Sequence, residues 1–231
     1  MAAIDELIAT VARLRAPGGC PWDREQTHRS LCAGIIEETA EFLETVDLDE
    51  KAHMCEELGD LLLQVVMHAQ IAAESGDFTF DDVARGVNEK MIRRHPHVFG
   101  DLSLKNSAEV LKKWDEIKAR EKNNSSRPQS DSPFKNAPAA LPALFVARDV
   151  WKAVKKKNLD AGTAADCAKI DALAASLTED SAGTALFEIA AACRQAGIDP
   201  ESALRRKTLA VRLACEANLK NASAGTGNAN G

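Results

Sequence analysis

Tyrosine is absent from these 231 residues, and aromatic side chains of every kind make up only 4% of them. Sheets are enriched in β-branched and aromatic residues, so this shortage argues against an all-β sandwich and suits helices rich in Ala and Leu. No apolar run approaches the ~20 residues that a membrane-spanning helix needs. The first fifteen residues carry Asp5 and Glu6 and lack the apolar stretch of a secretory leader. Six cysteines are present (Cys20, Cys32, Cys55, Cys167, Cys193 and Cys215), but no two form a CxxC pair. That spacing is poor for structural zinc and typical of reduced intracellular thiols. Together these absences predict a soluble, cytoplasmic protein with no membrane partner.

The residues that are present describe a globular chain, 45% hydrophobic and 28% charged. The net charge of −6 argues against a general binder of DNA or RNA. Charge is divided unevenly, with residues 1–121 holding 14 Lys and Arg against 24 Asp and Glu, and residues 122–231 holding 15 against 11. Ten of the acids lie between Glu37 and Asp60, facing a single Lys51. Such a run repels itself unless it is solvated or holds cations.

Apolar residues at helical spacing dominate the first 120 positions. Ile4, Leu7, Ile8, Val11 and Leu14 mark a first helix, ended by Ala16-Pro17-Gly18-Gly19. The segment Cys20–Asp23 reads as a polar turn. A second helix is predicted from about His28 to Val46, with Leu31, Ile35, Phe42, Leu43 and Val46 inward. A third is predicted from Lys51 to Glu74, with Leu58, Leu61, Leu62, Val65 and Ala69 inward. A fourth opens after Thr79 and ends at Pro96, and Ser107 is placed to cap a fifth that carries Leu111, Trp114 and Ile117. Residues 122–143 read as a linker rich in Asn, Ser and Pro. Helices follow at roughly 144–157, 163–177, 181–196 and 200–219. Residues 220–231 read as a disordered tail. The expected fold is an all-α helical bundle followed by a second helical unit.

Glu38 and Glu41 share one face of the second helix at i, i+3, and Glu57 and Asp60 repeat that spacing on the third. Packed antiparallel, the two helices would bring four carboxylates together, an all-oxygen donor set suited to Mg²⁺ or Mn²⁺. A single such pair on its own would read as a solvated helix face. Gly59, inside the second pair, suggests a close helix approach. Downstream, Lys90 and Arg94 stand at i, i+4 beside Arg93, and Trp114 and Lys118 repeat the spacing on the next helix. Cations suit phosphate oxygens and an indole suits a base, so the three sets together describe a nucleotide–Mg²⁺ site, although each basic or aromatic pair alone reads as surface or core.

The ordered series Gly19-Cys20-Pro21-Trp22-Asp23, EExxE at 37–41, EELGDLL at 56–62, NEK at 88–90, RRHPHVFGD at 93–101 and WxxIK at 114–118 resembles the MazG family of nucleoside triphosphate pyrophosphohydrolases. The resemblance covers residues 1–121. It implies Mg²⁺ ligation and catalysis by Glu38, Glu41, Glu57 and Asp60, with Glu37, Glu56, Lys90, Arg94, Trp114 and Lys118 holding the nucleotide. It also implies a homodimer and hydrolysis of the α–β anhydride to a nucleoside monophosphate and pyrophosphate.

The second half departs from this pattern. Gly183-Thr184-Ala185-Leu186-Phe187 echoes Gly59-Asp60-Leu61-Leu62-Leu63, and on that register Glu57 becomes Ser181 and Asp60 becomes Thr184. Ala210 and Ala214 then stand for Lys90 and Arg94, so residues 144–219 are expected to be a degenerate, non-catalytic unit of the same kind. Two further classes compete with the enzyme. One is a non-catalytic or regulatory nucleotide-binding protein. The other is a carboxylate di-iron bundle, suggested by Glu25-x-x-His28 and Glu50-x-x-His53.

Overall fold

A computed structural model describes residues 2–123 and 132–226, and among these there are eleven α-helices and no strand. The chain divides into two compact units, 1–125 and 126–231.

In the first unit, α1 (Ala3–Arg15), α3 (Cys32–Asp47) and α4 (Lys51–Glu74) are the frame, and α3 pairs with α4 most extensively. Three residues separate α3 from α4, so the two helices must fold back on each other. Asp49 sits in left-handed backbone at φ 56°. The Glu50 amide donates to the Thr45 carbonyl (2.9 Å) and the Asp49 amide to Val46 (3.2 Å), closing the helix end with its last carbonyls satisfied. Asp tolerates this conformation better than most residues because its short side chain bonds locally.

The core of the unit gathers Val11, Leu31, Val66 and Met67, with Ile4, Leu7, Ile8, Leu63, Ile71 and Phe80 packed around them. The Arg15 side chain, 5% exposed, fastens the end of α1 to the end of α4 through both carboxylate oxygens of Glu74, each at 2.8 Å. It also donates to the carbonyls of Asp23 and Gln26, which ties down the short helix α2 (Pro21–Glu25). The sequence reads that segment as a turn. Pro21 at its first position pre-sets helical backbone, and Arg15 supplies the tertiary anchor that local spacing does not show.

Helix α5 (Phe80–Arg94) starts at a capping box in which the Thr79 hydroxyl accepts from the Asp82 amide and the Asp82 carboxylate accepts from the Thr79 amide. The short α6 (Pro96–Phe99) follows. Helix α7 (Ser107–Asn123) is capped by Asn106, whose Oδ1 accepts from the Glu109 amide at 3.0 Å. Ser107, the residue expected to cap it, is already helical, because Asn106 serves as a stronger cap one position earlier.

The second unit contains α8 (Ala143–Lys157), a 3₁₀ turn at Gly162–Ala164, α9 (Cys167–Ser176), α10 (Glu179–Gln195) and α11 (Pro200–Thr226). Its core is Phe134, Val150, Val154, Ala161, Val211 and Cys215, formed mainly between α8 and α11. Helix α11 continues through 220–226, where the sequence suggests disorder; Ala222 and Ala224 are the strong helix formers in that stretch. Residues 124–131 of the expected linker and 227–231 of the expected tail lie outside the described residues.

The apolar stripes are only half covered. Leu31 is buried, but Ile35, Leu43, Val46, Leu58, Leu62 and Val65, all expected to face inward, are exposed in the single chain. Leu111 is exposed as well. Periodicity shows which face is apolar but not whether the same chain covers it.

Met67, 4% exposed, fills the junction of α1 and α4. Met67→Ala should cost about 3 kcal/mol through lost transfer energy and a residual cavity. Urea denaturation of the full chain should show a lower midpoint at unchanged slope, whereas an unmoved midpoint would mean that the junction repacks.

Candidate functional site

The tight α3–α4 turn sets the two helices antiparallel, so that residues near the end of α3 meet residues near the start of α4. Glu38 and Glu41 on α3 and Glu57 on α4 converge there, with one carboxylate oxygen of each lying within 4.8 Å of the others. Asp60, the fourth expected ligand, is outside this close set, yet its charge reaches both Glu38 and Glu57.

Electrostatics record the crowding. Desolvation, followed by the charges of Asp60, Glu41 and Glu37, raises the pKa of Glu38, and a hydrogen bond with Gln64 offsets part of that rise. Desolvation again leads at Glu57, followed by Glu41, Asp60, Glu38 and Glu56. The leading charges acting on these two groups are thus other carboxylates. Glu37 and Glu56 are exposed and act on the cluster through their charge.

Gln64 is a site residue that the sequence reading missed. It stands one helical turn beyond Asp60 and two beyond Glu57, on the same face, and this spacing was the available signal. Its Oε1 is buried without a protein partner. A Cβ added at Gly34, one turn before Glu38, would lie 2.9 Å from the Gln64 Nε2. Gly34 is therefore the glycine on α3 that leaves room for the end of the Gln64 side chain. Gly59, expected to mark a close helix approach, is exposed and has open space where a Cβ would stand.

The cationic set is assembled on α5 and α7. The Arg94 guanidinium lies 5.2 Å from the Trp114 ring centre, and His95 meets the same ring edge-on at 4.9 Å. One face of the expected base-stacking indole is thus covered by the expected phosphate binder. Glu121, also unforeseen, binds both arginines: Arg93 Nε donates to its Oε1 at 2.6 Å, and Arg94 Nε and Nη2 donate to its Oε2 at 3.1 and 2.6 Å. These bonds, Arg94's first and Arg93's next, hold the Glu121 pKa down at about 2. Trp114, Lys118 and Glu121 follow i, i+4, i+7 on α7, so this pairing too had a sequence signature. Lys90 is half-buried on α5, and Lys118 is exposed on α7.

The histidines do not form a second metal centre. His53 bonds Glu50 within α4's first turn (2.6 Å), and His28 pairs with His68 at 2.7 Å between Nδ1 atoms. Neither joins the carboxylate cluster, because Glu25-x-x-His28 belongs to α2 and the turn after it rather than to a helix facing α3 and α4. The di-iron arrangement therefore has no counterpart among the described residues.

This geometry coincides with a family match. The model of the MazG nucleotide pyrophosphohydrolase domain matches residues 26–99, which contain all four expected ligands. A Thermotoga maritima protein called nucleoside triphosphate pyrophosphohydrolase/pyrophosphatase MazG is 42% identical over 215 residues, covering 88% of this chain and 80% of that protein. The chain belongs to the MazG family. The uncharacterized protein YabN of Bacillus subtilis is 50% identical over 142 residues, covering 62% of this chain and 28% of YabN. The nucleoside triphosphate pyrophosphohydrolase of Escherichia coli K12 is 41% identical over 161 residues, covering 69% of this chain and 60% of its own length. The chain thus spans well under a third of YabN and most of the Thermotoga MazG.

An all-oxygen, mutually repelling donor set fits a hard divalent cation, since such an ion relieves the repulsion that raises Glu38 and Glu57. A carboxyl with a raised folded-state pKa favours folding while protonated, so this contribution is present below the ordinary Glu range and is lost as pH rises through the raised values. Glu41 is the leading charge acting on Glu57. In the metal-free chain, Glu41→Gln should therefore bring the Glu57 titration down toward its ordinary range, as read by carbon-detected NMR of side-chain carboxyls. A Glu57 titration unmoved by the substitution would mean that the two groups are not coupled.

Proposed function

We propose that this MazG-family chain is a divalent-cation-dependent nucleoside triphosphate pyrophosphohydrolase, cutting the α–β anhydride to release a nucleoside monophosphate and pyrophosphate. The observation that carries this reading is the convergence of Glu38, Glu41 and Glu57, with Asp60 beside them, on the paired helices of the family's domain. Glu38, Glu41, Glu57 and Asp60 would hold Mg²⁺, or Mn²⁺ in its place. When bound, that ion neutralises phosphate charge and lowers the pKa of a water. Arg94 and Lys90 bind phosphate oxygens, Lys118 adds a further cation, and Trp114 is the ring on which the base would stack. Glu37 and Glu56 act from the edge of the cluster. Attack by water oxygen at the α-phosphorus forms one P–O bond as the bond to the bridging oxygen breaks. The water's proton passes to a carboxylate at the edge of the metal site, and the electron pair leaves with pyrophosphate.

The working form is proposed to be a cytoplasmic homodimer. The exposed stripe of Leu58, Leu62 and Val65 on α4 beside Ile35, Leu43 and Val46 on α3 supports this, because a second copy covers it self-complementarily. The basic α5–α7 set and the acidic α3–α4 set stand on different helix pairs, an arrangement that a dimer can bring together. No helix among the described residues is long and apolar enough to cross a membrane, and no nucleic-acid partner is proposed for a chain of net charge −6.

The second unit is proposed to be a scaffold. On the register above, Ser181 and Thr184 replace Glu57 and Asp60, and Ser181 is occupied in the capping box of α10 with Thr178. Helices α9 and α10 form no pairing comparable to that of α3 and α4. A non-catalytic nucleotide-binding role for the whole chain is disfavoured by the complete carboxylate set of the first unit.

Asp60→Asn in the full chain, which removes a charge at nearly constant volume, should abolish turnover at unchanged helicity and leave no residual activity from the second unit. Chromatography of the wild-type reaction should show monophosphate and pyrophosphate as first products, with none formed in excess EDTA. A nucleoside diphosphate as first product, or full activity in Asp60→Asn, would contradict the assignment.

A further inference from the structure

Glu121 lies on α7 (Ser107–Asn123), where it meets Arg93 and Arg94 of α5. Its bonds to Arg93 and Arg94 occupy both of its oxygens, one arginine on each. Arg94 has a second support besides this partner, because its guanidinium stacks on Trp114 and its side chain is only 14% exposed. The bonds to Glu121 consume the Nε–Nη2 edge, one of the donor forks by which a guanidinium takes up carboxylate or phosphate with the same geometry. The carboxylate thus stands where a phosphate group would stand, bridging two neighbouring arginines. Its depressed pKa keeps it ionised, and therefore competitive, at any physiological pH.

We propose that Glu121 is a built-in anion that occupies the Arg93–Arg94 fork until the phosphates of the incoming nucleotide displace it. The inference rests on the reading of Arg94 as a phosphate contact. A carboxylate brings one negative charge, whereas a triphosphate brings three or four, so displacement by substrate is favoured over displacement by monoanions. The cost is a lowered apparent affinity, because the intrinsic affinity is scaled by the fraction of molecules with the fork open. The device makes the cation pair selective for polyphosphate and keeps it from collecting chloride, acetate or single phosphates.

Glu121→Gln keeps the shape and removes the charge. In the full chain it should lower KM for a nucleoside triphosphate by roughly fivefold at nearly unchanged kcat, and calorimetry should show inorganic pyrophosphate binding tighter by a similar factor. The gap between Glu121→Gln and wild type should narrow as salt rises, because the competing pair is ionic and partly exposed. A residue that merely held Arg94 in place would move both constants the other way. A raised or unchanged KM with weaker or equal pyrophosphate binding would therefore overturn the proposal. Arg94→Gln separates the two levels of the argument. If it weakens pyrophosphate binding while Glu121→Gln fails to tighten it, only the displaceable-anion role falls. If it leaves pyrophosphate binding unchanged, Arg94 is no phosphate contact and both readings fall together.

Discussion

The chemistry of this chain depends on two helices being held face to face while their carboxylates repel one another. Burial and like charge both push Glu38 and Glu57 above the ordinary carboxylate range, so the site as built opposes its own ionisation. What holds the frame together is the three-residue turn through Asp49, the apolar core around Val66 and Met67, and the Arg15–Glu74 ion pair that clamps the far end of α4 to α1. Breaking that frame would relax the repulsion and scatter the donor set. A divalent cation would relieve the same repulsion while keeping the donor set together.

The main elements were readable because their signals are local. Lys51–Glu74 is bounded as the apolar period and Ser75-Gly76 predict, and α5 begins at the Thr79 cap. The ExxE and ExxD spacings put the acids on shared faces, and a tight turn between two helices leaves them little choice but to meet. The less readable features are tertiary. Gly59 looks like the contact glycine from its neighbours in sequence, yet Gly34 is the one facing Gln64 across the helix pair. Asp60 stands outside the closest group because i, i+3 spacing fixes a face but not the reach of a side chain. The exposed halves of the α3 and α4 stripes show the same limit, since amphipathic patterning describes what must be covered and not by which chain.

Positive charge in the first unit is more constrained than a motif suggests. Arg94 is sandwiched between an indole and a carboxylate, so its freedom to meet an anion depends on neighbours two helical turns apart on α7. Such partners arise from helix packing, and their i+7 spacing is informative only once α7 is known to face α5. The two units differ in the same respect. Both contain amphipathic helices, but only the first sets carboxylates against each other across a tightly paired hairpin, while the second gathers its core between α8 and α11.

The central claim is that the α3–α4 carboxylates form a hard-cation site. Its most direct test is crystallography of the full chain grown with Mn²⁺, with anomalous scattering used to locate the ion. Density among the carboxylates of Glu38, Glu41 and Glu57, with Asp60 turned toward it and all-oxygen ligation, is the predicted result. An ion bound instead at the His28–His68 pair, or no ordered ion at these carboxylates at saturating Mn²⁺, would contradict the account.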